Sequence, residues 1–122
     1  MPKPEQLQPL TPPVFHILLA LTEGERHGYG IMQDVARQTD GRLQIGPGTL
    51  YGCLKRMLAA GLVEEADARP DPTLVEKFSD DERRRYYRMT PLGGRVVRAE
   101  AKRLASALEA ARSKRVYAGG KA

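Results

Sequence analysis

The chain has 122 residues, 41% of them hydrophobic and 29% charged, which is room for one modest core and not for two. Its single cysteine, Cys53, excludes an internal disulfide and any zinc site built on several thiolates. No apolar run approaches the ~20 residues that span a bilayer, and the first residues lack the charged-then-apolar layout of a secretory signal, so a cytoplasmic protein is expected. The net charge of +5 is unevenly distributed: residues 1–61 carry +1, residues 62–82 carry −6 and residues 83–122 carry +10. Charge patterned in this way points to a partner, whether nucleic acid, an acidic protein or anionic lipid.

Residues 1–10 hold three prolines and little else, and read as a flexible N-terminal arm. Thr11-Pro12-Pro13 is a helix start, a capping hydroxyl followed by prolines already set to helical φ. Val14, Ile17, Leu18 and Leu21 then recur at the spacing of one buried stripe, and Gly24 stops the helix. A second helix is expected from about His27-Gly28-Tyr29-Gly30, with Ile31, Met32, Val35 and Ala36 on its apolar side and an end near Thr39-Asp40-Gly41. Arg42-Leu43-Gln44-Ile45 alternates as a very short strand does. Gly46-Pro47-Gly48-Thr49 opens a third helix with the apolar stripe Leu50, Leu54, Met57 and Leu58, closed by Gly61 in a left-handed conformation. Its other face carries Thr49, Tyr51, Lys55 and Arg56 among small residues.

Leu62-Val63-Glu64-Glu65-Ala66 and Arg84-Arg85-Tyr86-Tyr87-Arg88-Met89 read as the strands of a hairpin, joined by a long acidic connection. Thr90-Pro91 opens a last helix by the logic of Thr11-Pro12, running to about residue 113–115. Along it Val97, Ala101, Leu104, Leu108 and Ala111 form a heptad-like seam that a monomer of this size could not fully cover. The predicted fold is mainly α with a small β-hairpin, a winged helix-turn-helix with a long C-terminal dimerisation helix. The expected organisation is an arm over 1–10, the winged domain over 11–90, the dimerisation helix over 91–115 and a flexible tail over 116–122.

Four segments make the reading more specific: His27-Gly28-Tyr29-Gly30-Ile31, Gly46-Pro47-Gly48-Thr49-Leu50-Tyr51, Leu54-Lys55-Arg56-Met57 through Gly61-Leu62-Val63, and Arg85-Tyr86-Tyr87-Arg88-Met89-Thr90-Pro91-Leu92-Gly93. In joint order and spacing they resemble the PadR-like family of bacterial transcriptional regulators, over roughly residues 14–112. The resemblance implies a homodimeric repressor on a palindromic stretch of double-stranded DNA, with dimerisation through the helix after the wing, in the subgroup that has one terminal helix. It also implies release by a small, often aromatic effector. Carried onto this chain, it makes Thr49, Tyr51, Lys55 and Arg56 recognition-helix positions and Arg83, Arg84 and Arg85 wing positions. The acidic connection departs from a wing that enters a minor groove, where cations are expected.

Each of these residues also has a plainer reading. Tyr51 either donates to DNA or packs its ring at the junction of helix and wing. Cys53 adjoins the buried stripe as a small apolar filler. His16 reads as a partly buried histidine and His27 as structural, and with no partner at ligand spacing they make no metal site. Tyr86 and Tyr87 read as half-buried sheet residues. No motif supports catalysis or a cofactor. An effector is expected between the first and last helices, lined by Phe15, Tyr29 and Leu104. The alternative to a DNA-binding regulator is a winged-helix protein adaptor using the acidic wing or last helix; a membrane-surface role for residues 91–115 is weaker still, since that seam is alanine-rich and lacks Trp or Phe.

Overall fold

A computed structural model describes residues 7–66 and 85–118. Helix α1 spans Pro12–Ala20, strand β1 Arg26–His27, α2 Gly28–Gln38, α3 Pro47–Ala59, β2 Val63–Ala66, β3 Tyr86–Met89 and α4 Pro91–Ser113. The three strands form an antiparallel sheet in the order β1-β3-β2. Tyr87 at its centre faces Arg26 on one side and Glu65 on the other, and is fully buried. The core gathers Ile17, Leu18 and Leu21 of the first helical segment, Ile31 and Val35 of α2, Leu50, Cys53, Leu54 and Met57 of α3, and Leu92, Val96 and Val97 of α4. No helix among the described residues is long and apolar enough to cross a membrane.

The two Thr-Pro starts differ. Thr90 caps α4, its hydroxyl accepting from the amide of Gly93 at 3.0 Å. Thr11 makes no side-chain cap: a second proline, Pro13, removes one of the two amides that such a hydroxyl reaches. At α2 the cap is His27, whose Nδ1 accepts from Gly30 N at 3.0 Å. At the far end of α3, Gly61 sits at φ +78°. Its amide donates to Leu58 O and that of Leu62 to Met57 O, a Schellman closure. Thr90 then fastens α4 to this corner, through its amide on Leu62 O at 3.1 Å and its hydroxyl on Gly61 O at 2.6 Å.

Three expectations are corrected. Residues 42–45 form no strand, because Thr39 claims their backbone: its Oγ1 accepts from Leu43 N at 3.0 Å and donates to Val35 O. The extra strand is instead Arg26–His27, which finds its ladder partner in β3. Leu58 is 37% exposed, and Cys53 takes its place in the buried stripe of α3. Residues 7–10 are docked rather than free. Leu7 and Leu10 pack on the core, and Glu100, buried on α4, accepts from Gln8 Nε2 and from the amide of Leu10, both at 3.0 Å. Arg103 grips the same carboxylate through Nε at 2.7 Å and Nη2 at 2.8 Å. These bonds, that from Arg103 foremost, hold the pKa of Glu100 down to about 2.

Candidate nucleic-acid interface

Helix α3 divides into three stripes. Leu50, Cys53, Leu54 and Met57 are buried. Thr49, Arg56 and Ala59 are exposed, with Gly52 between them, and form the outward stripe. Tyr51, Lys55 and Leu58, one turn apart in sequence, line a cleft of about 380 Å³ whose opposite wall is Arg85 and Tyr87. The structure thus brings Tyr51, Lys55 and Arg85 together, three of the residues expected at a DNA surface, with Thr49 and Arg56 beside them on the outward stripe. Arg83 and Arg84 lie outside the described residues.

The cations on the two walls are not equivalent. Arg85 Nε stands 3.6 Å from Glu65 Oε1. Arg88, two strand positions beyond Tyr86, is held between Glu64 at 3.0 Å and Glu25 at 3.3 Å. Those two carboxylates, Glu64 first, raise its pKa above the ordinary guanidinium value. On α3, Lys55 and Arg56 have no carboxylate partner among the described residues, and Arg56 lies back along its own helix with Nη2 3.5 Å from Cys53 Sγ. Asp34 of α2 balances Arg26 at 3.4 Å and also pairs with Arg37, in a small polar cleft beside α1. Described cations of the wing and of α2 are therefore largely neutralised in place, and those of α3 are not.

Tyr51 points inwards. Its ring lies across Gly28, the buried first residue of α2: a Cβ at Gly28 would overlap Tyr51 Oη and come within 2.8 Å of Cζ. Nothing local to Tyr51 signals this, since the constraint sits on another helix; the small residue in His27-Gly28-Tyr29 was the available clue. The sequence signal for Glu100 is similarly faint: it is one of only two acids after residue 82 and has Arg103 three positions on.

The remaining candidates separate. His27 is the cap of α2 and meets Tyr86 edge-on at 5.4 Å. His16 shares a hydrogen bond with Gln38 Nε2 at 3.2 Å, and burial lowers its pKa. Cys53 is a free, buried thiol. Of the expected dimer seam, Val97 is consumed in the chain's own core, whereas Ala101, Leu104 and Leu108 are exposed and Ala111 partly so. Phe15 stacks edge-on with His16, and neither it, Tyr29 nor Leu104 lines the clefts described here.

A model of the transcriptional regulator PadR-like family matches residues 17–99. An uncharacterized protein of Lysinibacillus sphaericus is 32% identical over 77 residues, which are 63% of this chain and 63% of that one, so the match spans under two-thirds of the relative. A transcriptional regulator from Clostridium thermocellum superposes with TM-score 0.64 at 24% identity, over 83% of this chain and 87% of the other. Bacillus subtilis PadR in complex with operator DNA superposes with TM-score 0.58 at 17% identity, over 75% of this chain and 46% of the other. At these identities the superpositions speak for the fold.

Proposed function

Because this chain belongs to the PadR-like family of transcriptional regulators, a family of DNA-binding regulators rather than enzymes, we propose that it works as a homodimeric repressor occupying a pseudo-palindromic operator. Helix α3 is the reading helix of each protomer. Thr49, Lys55 and Arg56 are the contacting side chains, and Arg85 is a supporting cation on the wing side of the cleft. The observation that carries this reading is the electrostatic asymmetry across the cleft: Lys55 and Arg56 stand on a small-residue helix face without carboxylate partners among the described residues, while Arg85 and Arg88 face Glu65, Glu64 and Glu25. Unpaired cations on a helix are what a phosphate backbone recruits, with release of its counterions.

The second protomer is proposed to cover the outer half of α4, where Leu104 and Leu108 are 40% and 42% exposed. A two-fold dimer places two reading helices on half-sites one helical turn, about 34–36 Å, apart. The B. subtilis neighbour, itself bound to operator DNA, supports the same use of this fold.

The test is selection of bound duplexes from a random pool, followed by footprinting and a salt titration. The reading requires an inverted-repeat footprint and an affinity that falls linearly with log salt concentration. A protein that binds no duplex at low salt but pulls down a specific protein partner would instead be an adaptor.

A further inference from the structure

We propose that Gly28 and Tyr51 are a positioning pair: the ring of Tyr51, seated on the bare backbone of Gly28, sets the angle at which α3 leaves α2 and so the angle at which α3 is presented to DNA. The DNA half of this statement rests on the reading of α3 given above; the helix-angle half does not.

Gly28 does not have the left-handed backbone that calls for glycine elsewhere in the chain, as at Gly41 and Gly61. Its missing side chain serves space. The atoms nearest to a Cβ built there all belong to α3: Tyr51 Oη in overlap, Tyr51 Cζ at 2.8 Å and Leu50 Cδ2 at 3.2 Å. Two consecutive side chains of α3 are therefore pressed onto the first residue of α2. On its other side Tyr51 shares the wall of the cleft with Lys55, facing Arg85 and Tyr87 of the wing. One rigid ring thus spaces α3 from α2 behind it and forms part of the cleft wall in front. Its hydroxyl end is directed into the molecule, away from the outward stripe of Thr49 and Arg56. Close-packed elements do not deform continuously, so a group placed between two helices acts on orientation more than on any single contact.

The pair makes a double-mutant cycle decisive. The variants are Gly28→Ala, Tyr51→Ala, both together, and Tyr51→Phe. The readouts are backbone residual dipolar couplings, which report the tilt of α3 against α2 in the free protein, and affinities for a selected operator and a random duplex. Gly28→Ala is expected to tilt α3 and to weaken operator binding about tenfold, as misplaced base contacts do. Random-duplex affinity, carried by phosphate contacts such as that expected of Arg56, should change less than about threefold. In the Tyr51→Ala background, where the ring is gone, Gly28→Ala should alter operator affinity and helix tilt by less than about twofold and not at all, respectively. Tyr51→Phe keeps the ring and should bind operator within about twofold of the parent.

The proposal is overturned if Gly28→Ala costs the same factor in both backgrounds, or if it leaves the tilt of α3 unchanged. It is also overturned if Tyr51→Phe loses as much as Tyr51→Ala and relaxes preference at one operator position, since the hydroxyl would then be reading a base. Should Gly28→Ala alone fail to fold, recovery of the folded spectrum in the double variant supports the pair and its absence refutes it. Should the parent bind no duplex, the reading of α3 fails, and the dipolar couplings still decide whether Tyr51 and Gly28 set the helix angle.

Discussion

The outer side of α3 and the outer half of α4 are both left uncovered, and they differ in kind. On α3 the uncovered groups are cations without carboxylate partners, set among glycine, threonine and alanine. On α4 beyond Glu100, the uncovered groups include Leu104 and Leu108, near the ion pairs Arg103–Glu100 and Arg112–Glu109 and near Lys102, which has no carboxylate partner among the described residues. A face whose exposed groups are cations among small residues is stabilised by a polyanion; a face that exposes two leucines one turn apart is stabilised by another apolar face. The contrast is the basis for proposing two different partners for the two surfaces, DNA and a second copy of the chain, and each proposal can be broken separately.

The largest effect is expected at α4. Leu104→Glu with Leu108→Glu should leave the protomer folded, because both residues lie outside the core. It should abolish the dimer, since each buried leucine is worth roughly 1.5–3 kcal/mol. Operator affinity should then fall about a hundredfold or more as the two half-sites lose their linkage. Analytical ultracentrifugation at low micromolar concentration checks the first claim, and a double variant that still sediments as a dimer would refute the assignment of this face.

Next in size is α3 itself. Arg56→Ala should weaken binding to all duplexes alike and lower the salt slope by about one unit, the mark of a phosphate contact. Lys55→Ala should cost about 1–3 kcal/mol on the operator and relax preference at one position. Arg88→Ala is the control: its charge is already spent on Glu64 and Glu25, so the salt slope should not move. If neither α3 variant changes operator affinity, α3 is not the reading helix.

How much of this the sequence discloses follows from how far each constraint reaches. The stripes of α1, α2 and α3 are visible because a 3.6-residue period is written within a dozen residues, and so are the exposed positions Thr49, Lys55 and Arg56. Strand β1 is invisible: two residues have no period, and Arg26–His27 is a strand only because Tyr86 and Tyr87 lie beside it. The docking of Gln8 and Leu10 depends on a carboxylate 90 or more positions away. The pairing of Arg85 with Glu65 depends on the strand register, and the direction of Tyr51 on a glycine of another helix. Val97 shows the opposite failure: its heptad spacing is genuine, but the first turns of α4 spend that spacing on the chain's own core.

A third prediction concerns the root of α4, where the contrast between its inner and outer halves is fixed. Glu100 has a folded-state pKa of about 2, depressed from 4.5. A depressed carboxylate contributes stability that is fully present above its unfolded value and is lost as pH falls towards its folded value. Thermal stability should therefore decline as pH drops from about 5 towards 2, and Glu100→Gln should flatten that part of the profile. Its effect at neutral pH should be a loss of roughly 1–3 kcal/mol, since the donors from Gln8, Leu10 and Arg103 would face a neutral amide with one acceptor oxygen. Amide exchange at residues 7–10 gives the local readout: accelerated exchange there in the variant is expected, and unchanged protection would mean that the leucines, not the carboxylate, hold the arm.

The smallest expected effect tests the electrostatic side of the comparison from outside both faces. Residues 62–82 carry a net −6 between two regions of positive charge, and Asp80, Asp81 and Glu82 stand next to Arg83, Arg84 and Arg85 in sequence. At physiological ionic strength a charge is felt over about 8 Å, a reach that takes in the immediate sequence neighbours, Glu82 and Arg83 foremost. Operator binding adds base contacts that such an offset does not touch; nonspecific binding is electrostatic throughout. Replacing all three acids with Ser takes the chain from a net +5 to +8, three negative charges fewer. Random-duplex affinity should rise about threefold at low salt, with a steeper salt dependence, while operator affinity rises less. The acids would then be a filter, lowering nonspecific occupancy without cost to recognition. Equal tightening on both duplexes would instead make them a uniform correction to net charge, and unchanged affinity for the random duplex would mean that the three acids have no energetic role in DNA binding.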